Sequence, residues 1–298
     1  MSRFHGILVI DKPAGWTSHD VVGWTRRWLG QKKVGHAGTL DPAATGVLPI
    51  VAGDATRFVE YLAEASKSYL AEVTFGIETD SADIDGVVTA DRRPVDLSRS
   101  DVEAILPSFL GQNEQQPPMH SAIKVGGKRL YELARRGETI AVPTRIVTIE
   151  RLDLLGWSDG VATLAVTCSK GTYIRSLARD LGSALGVGAY LSNLVRQRTG
   201  PFLLCEAWNV TELGEHAAEQ VWPLVAERAD AALGGLDALV LRDDQTDDWQ
   251  AGRLVGVDRA EPAPVVRVYG PGGDFVGIGK ATETGDAYHP EKVLHEAA

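Results

Sequence analysis

Residues 68–75 alternate strictly, with Tyr69, Ala71, Val73 and Phe75 on one side and Ser68, Leu70, Glu72 and Thr74 on the other. A period of two sends successive side chains to opposite faces, so this segment reads as a strand with one face against a core. Gly6–Asp11 reads as a short buried strand, and strand patterns recur at about 145–155, 161–168 and 190–196. Helical spacing separates them irregularly. Thr17 caps a helix and Asp20 completes its capping box; Val21, Val22, Thr25 and Leu29 form the inner face and Gly30 ends it. A second helix is expected from about Ala55 to Ala65, carrying Phe58, Val59 and Leu62. Ser100 and Glu103 make a capping box for a third. Gly171-Thr172 open a fourth, whose core stripe is Ile174, Leu177, Ala178, Leu181 and Leu185. Strands and helices mix without a regular βαβ succession. The expected class is therefore α+β, a mixed and mainly antiparallel sheet with flanking helices, rather than a doubly wound fold.

Sequence between about 206 and 235 is loop-rich and leads into a β-rich tail, where Val265–Tyr269 and Phe275–Ile278 flank Pro271-Gly272-Gly273 as a hairpin. With 298 residues, a large domain over 1–235 and a small one over 236–298 account for the chain. No apolar run reaches the roughly 18 residues of a membrane span. The segment Met1–Gly6 lacks the apolar core and cleavage site of a signal peptide. Cys168 and Cys205 are the only cysteines and form no C-x-x-C pair, which excludes a disulfide framework or a cysteine-built zinc site. A reducing, cytoplasmic setting fits.

The formal charge of −10 argues against a polyanionic partner only as an average. Residues 206–298 hold 18 acidic and 7 basic side chains, whereas 1–205 hold 22 and 23. Within the latter, Lys124, Lys128, Arg129, Arg135 and Arg136 face Glu132 alone, and Lys170, Arg175, Arg179, Arg196 and Arg198 face Asp180. Such patches decide whether a polyanion docks. Solvated helix faces give the same pattern.

The segment Val34–Pro49 (V-G-H-A-G-T-L-D-P-A-A-T-G-V-L-P) is punctuated by Gly35, Gly38 and Gly46, which let a backbone turn tightly and approach a ligand. Asp41 precedes Pro42 and is pushed away from helical torsions. A carboxylate on such a loop suits catalysis. Asp-Pro is equally an N-cap followed by an N1 proline, and the string alone leaves both readings open. The seven histidines form no H-E-x-x-H and no His/Cys cluster, so no metal site is expected. Asp80–Gly86 resembles a calcium loop only superficially, because Ala82 fills the third position and no Glu closes twelve residues.

Taken together, G-H-A-G-T-L-D-P-A-A-T-G-V-L-P strongly resembles the catalytic loop of the tRNA pseudouridine synthase B family. Other family motifs follow in order: Lys12-Pro13 with Gly15, Lys67-Ser68-Tyr69, the acidic turn Thr79–Gly86, Ser121–Lys124 with Gly127–Tyr131, Cys168–Arg175, and Leu191–Leu194. The resemblance extends from about residue 6 to 200. It implies a pseudouridine synthase fold with a central cleft, and a reaction that breaks the N1–C1′ bond of an extruded uridine, turns the base and rejoins it through C5. No cofactor is implied. Asp41 takes the essential carboxylate role, toward sugar or base. Arg175 matches the arginine that keeps the carboxylate ionised, and is expected to depress its pKa. Tyr69 matches the active-site tyrosine, although a strand tyrosine beside Val73 and Phe75 is also a simple core residue. His36 resembles the histidine that fills the space of the extruded base. Lys12, Tyr173, Leu194 and Asp83 are expected near the substrate, and Lys124, Lys128 and Arg129 in an RNA-gripping insertion at about 115–140.

The resemblance further implies tRNA as partner, through the T-loop uridine that becomes pseudouridine-55. No membrane or obligatory protein partner is implied, and a monomer is expected. The tail from about 236 resembles a PUA barrel, with RNA contact limited to Arg267, Lys280 or Lys292. A guide-RNA-dependent synthase subunit shares the catalytic loop, but no basic tail or assembly extension is evident. An RNA-binding or folding module with a structural Asp41 is the rival from another class. A carbohydrate hydrolase would need a second carboxylate that the neighbouring sequence does not pair with Asp41.

Overall fold

A computed structural model describes residues 3–118, 142–257 and 263–294, together with the short strand pair 124–125 and 128–129. In chain order the main elements of the body are β1 (Gly6–Lys12), α1 (Ser18–Leu29), β2 (Val34–His36), β3 (Thr45–Ala52), α2 (Val59–Glu64), β4 (Lys67–Phe75), α3 (Arg99–Ile105), β5 (Gly111–Gln115), β6 (Arg145–Ser158), β7 (Val161–Cys168), α4 (Ile174–Ala184), β8 (Ala189–Thr199), β9 (Trp208–Asn209) and α5 (Ala218–Val225). The sheet runs β9-β1-β3-β8-β4-β7-β6-β5. Only β1 with β9 and β3 with β8 are parallel along this path; every other pairing is antiparallel. The expected mixed, mainly antiparallel sheet is present.

The alternation read from 68–75 is realised in β4, where Tyr69, Ala71, Val73 and Phe75 are buried and the intervening residues half-buried. They pack with Leu164 and Val166 of β7 and with Ile174, Leu177, Ala178 and Leu181 of α4. β1 is buried on both faces. Leu8 and Ile10 meet α1 and α5, whereas Ile7 and Val9 pack with Val47, Val51 and Leu62. Thr17 and Asp20 form the capping box, and Gly30 ends α1 in the left-handed region at φ 61°.

Three expectations need correcting. The third helix is capped by Ser98 with Asp101, not Ser100 with Glu103. That start places Val102 fully inside, while Glu103 pairs with Arg99 across one turn. The helix expected over 55–65 divides into a 3-10 segment, Gly53–Phe58, and α2. The stretch 206–235 holds two α-helices, Val210–Gly214 and α5, and a 3-10 segment, Ala229–Leu233, because Leu213, Ala218, Trp222 and Val225 have a core to cover.

The tail forms a separate five-stranded sheet, ordered β10-β12-β13-β14-β11, from β10 (Asp237–Val240), β11 (Val255–Gly256), β12 (Val265–Tyr269), β13 (Phe275–Ala281) and β14 (Ala287–Val293). The expected hairpin is β12–β13. It joins the body through Phe58, Leu233 and Ile278. Lys292 donates to the Arg57 carbonyl at 2.6 Å and pairs with Glu60. Lys292 thus ties the C-terminal sheet to the 3-10 segment and α2 of the body.

α4 approaches β8 closely at Gly182, where an added Cβ would lie 2.2 Å from the Ala189 nitrogen and 2.4 Å from the Gly188 carbonyl carbon. Alanine favours a helix interior over glycine by about 1 kcal/mol. The backbone clash has no flexible partner to yield, and overpacking costs about 1–3 kcal/mol. Gly182→Ala is expected to lower stability in urea unfolding despite the better helix former.

Candidate active site

The loop between β2 and β3 makes few backbone hydrogen bonds of its own, and side chains from elsewhere satisfy it. Ser18 Oγ donates to the Leu40 carbonyl at 3.1 Å and accepts from the Leu40 N–H at 2.9 Å. Lys12 Nζ donates to the carbonyls of Pro13, Trp16 and Pro42 at 2.9, 2.6 and 3.2 Å. The Gly15 N–H also reaches the Pro42 carbonyl at 2.9 Å, and the Ala44 N–H closes a turn on the Asp41 carbonyl. Asp41 is thus presented from a tightly tied corner.

Its carboxylate meets the first turn of α4. Arg175 Nε lies 3.0 Å from Asp41 Oδ2, and Nη2 donates to Oδ1 at 3.2 Å. The guanidinium thus meets the carboxylate with one charge-assisted hydrogen bond and one close charge contact. Arg175 Nη1 turns to Asp83 Oδ2 at 3.2 Å and to the Ser81 carbonyl at 3.4 Å. Asp83 comes from the turn between the paired segments Ile77–Thr79 and Val88–Asp91, and its backbone bridges to Leu191 of β8. The α4 N-terminus is held by Gln115 of β5, whose amide bonds both the Tyr173 N–H (2.7 Å) and the Tyr173 carbonyl (3.0 Å).

One cleft of about 580 Å³ is lined by Asp41, Tyr69, Arg175 and Leu194 together with Tyr173, Asp83, Asp85 and Lys67. That volume suits one small organic ligand. Asp41 sits in a recess of protein, yet 40% of its side chain remains open through the mouth, whereas that of Arg175 is 5% exposed. The carboxyl pKa is raised above the ordinary value. Burial drives it up, the nearby Asp83 and Asp85 charges add to the rise, and Arg175 opposes them. Arg175 acts in the expected downward direction, but desolvation outweighs it and the net shift is upward. Burial likewise raises the Tyr69 phenol, with Arg196 opposing it. Lys67 donates to the Ala63 and Ala65 carbonyls, and burial brings its pKa down to about 8.

Comparison with known proteins identifies this arrangement. Residues 26–174 match the family model for the TruB family pseudouridylate synthase N-terminal domain. Residues 175–240 match the tRNA pseudouridylate synthase B C-terminal domain, and 238–293 the pseudouridine synthase II TruB C-terminal model. A protein of Symbiobacterium thermophilum named tRNA pseudouridine synthase B is 52% identical over 76% of this chain and 76% of its own length. One of the same name from Synechocystis is 46% identical over 97% and 99%. The chain belongs to the TruB family of pseudouridylate synthases. Its fold is shared with a chain of an H/ACA ribonucleoprotein bound to a substrate RNA containing 2′-deoxyuridine, at TM-score 0.76 and 25% identity over 98% of this chain and 85% of that one. A chain of a Cbf5-Nop10-Gar1 complex gives 0.74 and 26% over 97% and 84%.

Of the TruB-like positions, Asp41, Tyr69, Arg175, Asp83, Tyr173 and Leu194 converge on the cleft. Lys12 does not line it; the side chain is fully buried beneath the loop, and desolvation lowers its pKa to about 8. His36 is not among the lining residues, and its ring lies 5.5 Å from that of His19. Lys124, Lys128 and Arg129 have side chains outside the described residues. The cationic cluster of 170–198 is no free patch: Arg175 and Arg196 are buried, Arg198 bonds Ser66, Ser68 and Gly200, and Lys170 and Arg179 pair with Glu64 and Asp180. Sequence reasoning missed Ser18, Gln115 and Arg145, which stacks its guanidinium 5.3 Å from the Tyr173 ring centroid. Only long-range pairing brings these to the site, and no local pattern marks them.

The balance at Asp41 has a measurable consequence. Arg175 opposes the burial that raises the carboxyl pKa, so Arg175→Met is expected to move its titration to still higher pH. Carboxyl-carbon NMR titration of Asp41 in wild type and variant tests this; an unchanged or lower midpoint refutes it.

Proposed function

We propose that this chain converts the T-loop uridine of tRNA, position 55, to pseudouridine. The observation that carries the reading is the Asp41 carboxylate, held by Arg175 in a nucleoside-sized cleft that Tyr69 also lines. The reaction is an isomerisation. The N1–C1′ bond breaks, a C5–C1′ bond forms, the C5 proton leaves and N1 ends protonated, so nothing is oxidised and no group is lost.

In this reading Asp41 acts while ionised, either as nucleophile or as counter-charge to an oxocarbenium-like sugar. The Arg175 fork orients it and counters the burial that would protonate it. The Tyr69 ring stacks on the extruded uracil and its hydroxyl assists removal of the C5 proton. Tyr173 and Leu194 border the base, and Asp83 anchors Arg175. A base reached this way must leave its stack, which costs a few kcal/mol and is easiest in a loop. The enzyme acts alone in the cytoplasm, without a guide RNA or obligatory protein partner. The C-terminal sheet serves as a PUA-like module with limited RNA contact, for which the exposed Lys280 is better placed than Lys292. The protein-to-RNA contact of the 115–140 insertion belongs to the same reading.

Pseudouridine mapping on unmodified tRNA incubated with the purified chain tests the assignment directly. Asp41→Asn is expected to abolish product while tRNA affinity stays within about threefold, since phosphate and shape contacts dominate RNA binding. Turnover by a rigorously purified Asp41→Asn protein would refute the role of Asp41.

A second measurement addresses Tyr69. Tyr69→Phe keeps the ring, so it is expected to bind RNA normally yet lose about 100-fold or more in single-turnover rate, the usual scale of a positioned proton-transfer group. A fully active Tyr69→Phe would reduce Tyr69 to a stacking platform.

A further inference from the structure

Arg196 is a charged side chain with no part in the chemistry above, and it is among the most deeply buried in the chain at 1% exposure. It lies on β8 between two strands that each lead to the cleft. On one side it stands opposite Gly46, at the start of β3; on the other it stands opposite Tyr69 of β4. Residues directly opposite in an antiparallel pair project from the same face, so the guanidinium and the phenol emerge together.

The guanidinium holds both sides of that frame: it hydrogen-bonds the Tyr69 side chain and three carbonyls that flank Asp41 in sequence. Nε donates to the Val47 carbonyl at 2.7 Å, Nη1 to Thr39 at 3.2 Å and Nη2 to Gly38 at 3.1 Å. Two of these carbonyls precede Asp41 and one follows it. The backbones also approach closely: Gly46 has φ 100°, and a Cβ there would lie 2.3 Å from the Arg196 carbonyl oxygen. A buried arginine serving stability alone needs only carbonyls of any origin. Here all three belong to the segment that presents Asp41, and the cross-strand partner is Tyr69. The rigid guanidinium fork spans three separated acceptors, which the point charge of lysine does not.

We propose that Arg196 is a positioning residue for the isomerisation, fastening the Asp41 loop to the Tyr69 strand so that carboxylate and phenol act from one frame. The proposal rests on the reading of Asp41 and Tyr69 as the reacting groups. Arg196 lines the cleft beside Gly38, Thr39 and Tyr69, and the role assigned to it here is to fix the distance between the two reacting groups. Misplacement of reacting groups by about 1 Å costs on the order of 100-fold in rate.

The test uses the full chain as wild type, Arg196→Lys and Arg196→Gln, with a T-arm hairpin RNA and saturating enzyme, below each protein's melting temperature. Single-turnover rate, hairpin affinity and amide hydrogen exchange of residues 38–47 are read together. Both variants are expected to lose about 100-fold in rate, to bind RNA within about threefold of wild type, and to exchange faster in the loop. The loss should persist across pH, because Arg196→Lys retains the charge. A wild-type rate in Arg196→Lys, a loss explained by affinity, a lowered melting temperature with an unchanged rate, or failure of both variants to fold would each overturn the proposal. Absence of pseudouridine with wild type would instead overturn the underlying function, so the two failures are distinguishable.

Discussion

The site depends on one buried cation and the half-open carboxylate it pairs with. Arg175 is nearly inaccessible, so its charge must be compensated within the protein, and Asp41, Asp83 and the Ser81 carbonyl together do so. Burying a charge is costly unless it is paired and hydrogen-bonded, and a buried pair is seldom a net source of stability. The arrangement makes sense as positioning. It sets a carboxylate whose pKa is lifted by burial beside the cation that draws it back, in a recess open enough for a nucleoside to enter.

Geometry at that pair is inherited from the sheet. α4 supplies Arg175 from its first turn, and its place is set by the close approach at Gly182 and by the Gln115 clamp on Tyr173. The pairing of β8 with both β3 and β4 sets the Asp41 loop beside Tyr69. A slip of one residue between β8 and β4 would put Arg196 and Tyr69 on opposite faces.

The loop itself shows a second principle. Rich in glycine and proline, it forms little regular structure, so its carbonyls need partners from outside. Lys12 and Arg196 supply them as buried cations, each surrounded by carbonyl oxygens rather than by a matched carboxylate. Desolvation brings Lys12 down to about 8. Two side chains that look in sequence like phosphate binders are internal ties.

What the sequence determined by itself was local or motif-borne. The period-two pattern of β4, the Thr17–Asp20 capping box, the apolar stripe of α4 and the β12–β13 hairpin each depend on residues a few positions apart. The ordered motifs around Asp41, Tyr69 and Arg175 carried the family. Even so, local chemistry misjudged the Ser98 cap, because two overlapping boxes compete and burial of Val102 chooses between them. Only the tertiary structure decided which charges face solvent, that Asp83 shares Arg175 with Asp41, and that burial overrides the guanidinium at the carboxylate. Those outcomes depend on residues far apart in the chain, and on the dielectric of the place where folding brings them together, which no spacing in a sequence encodes.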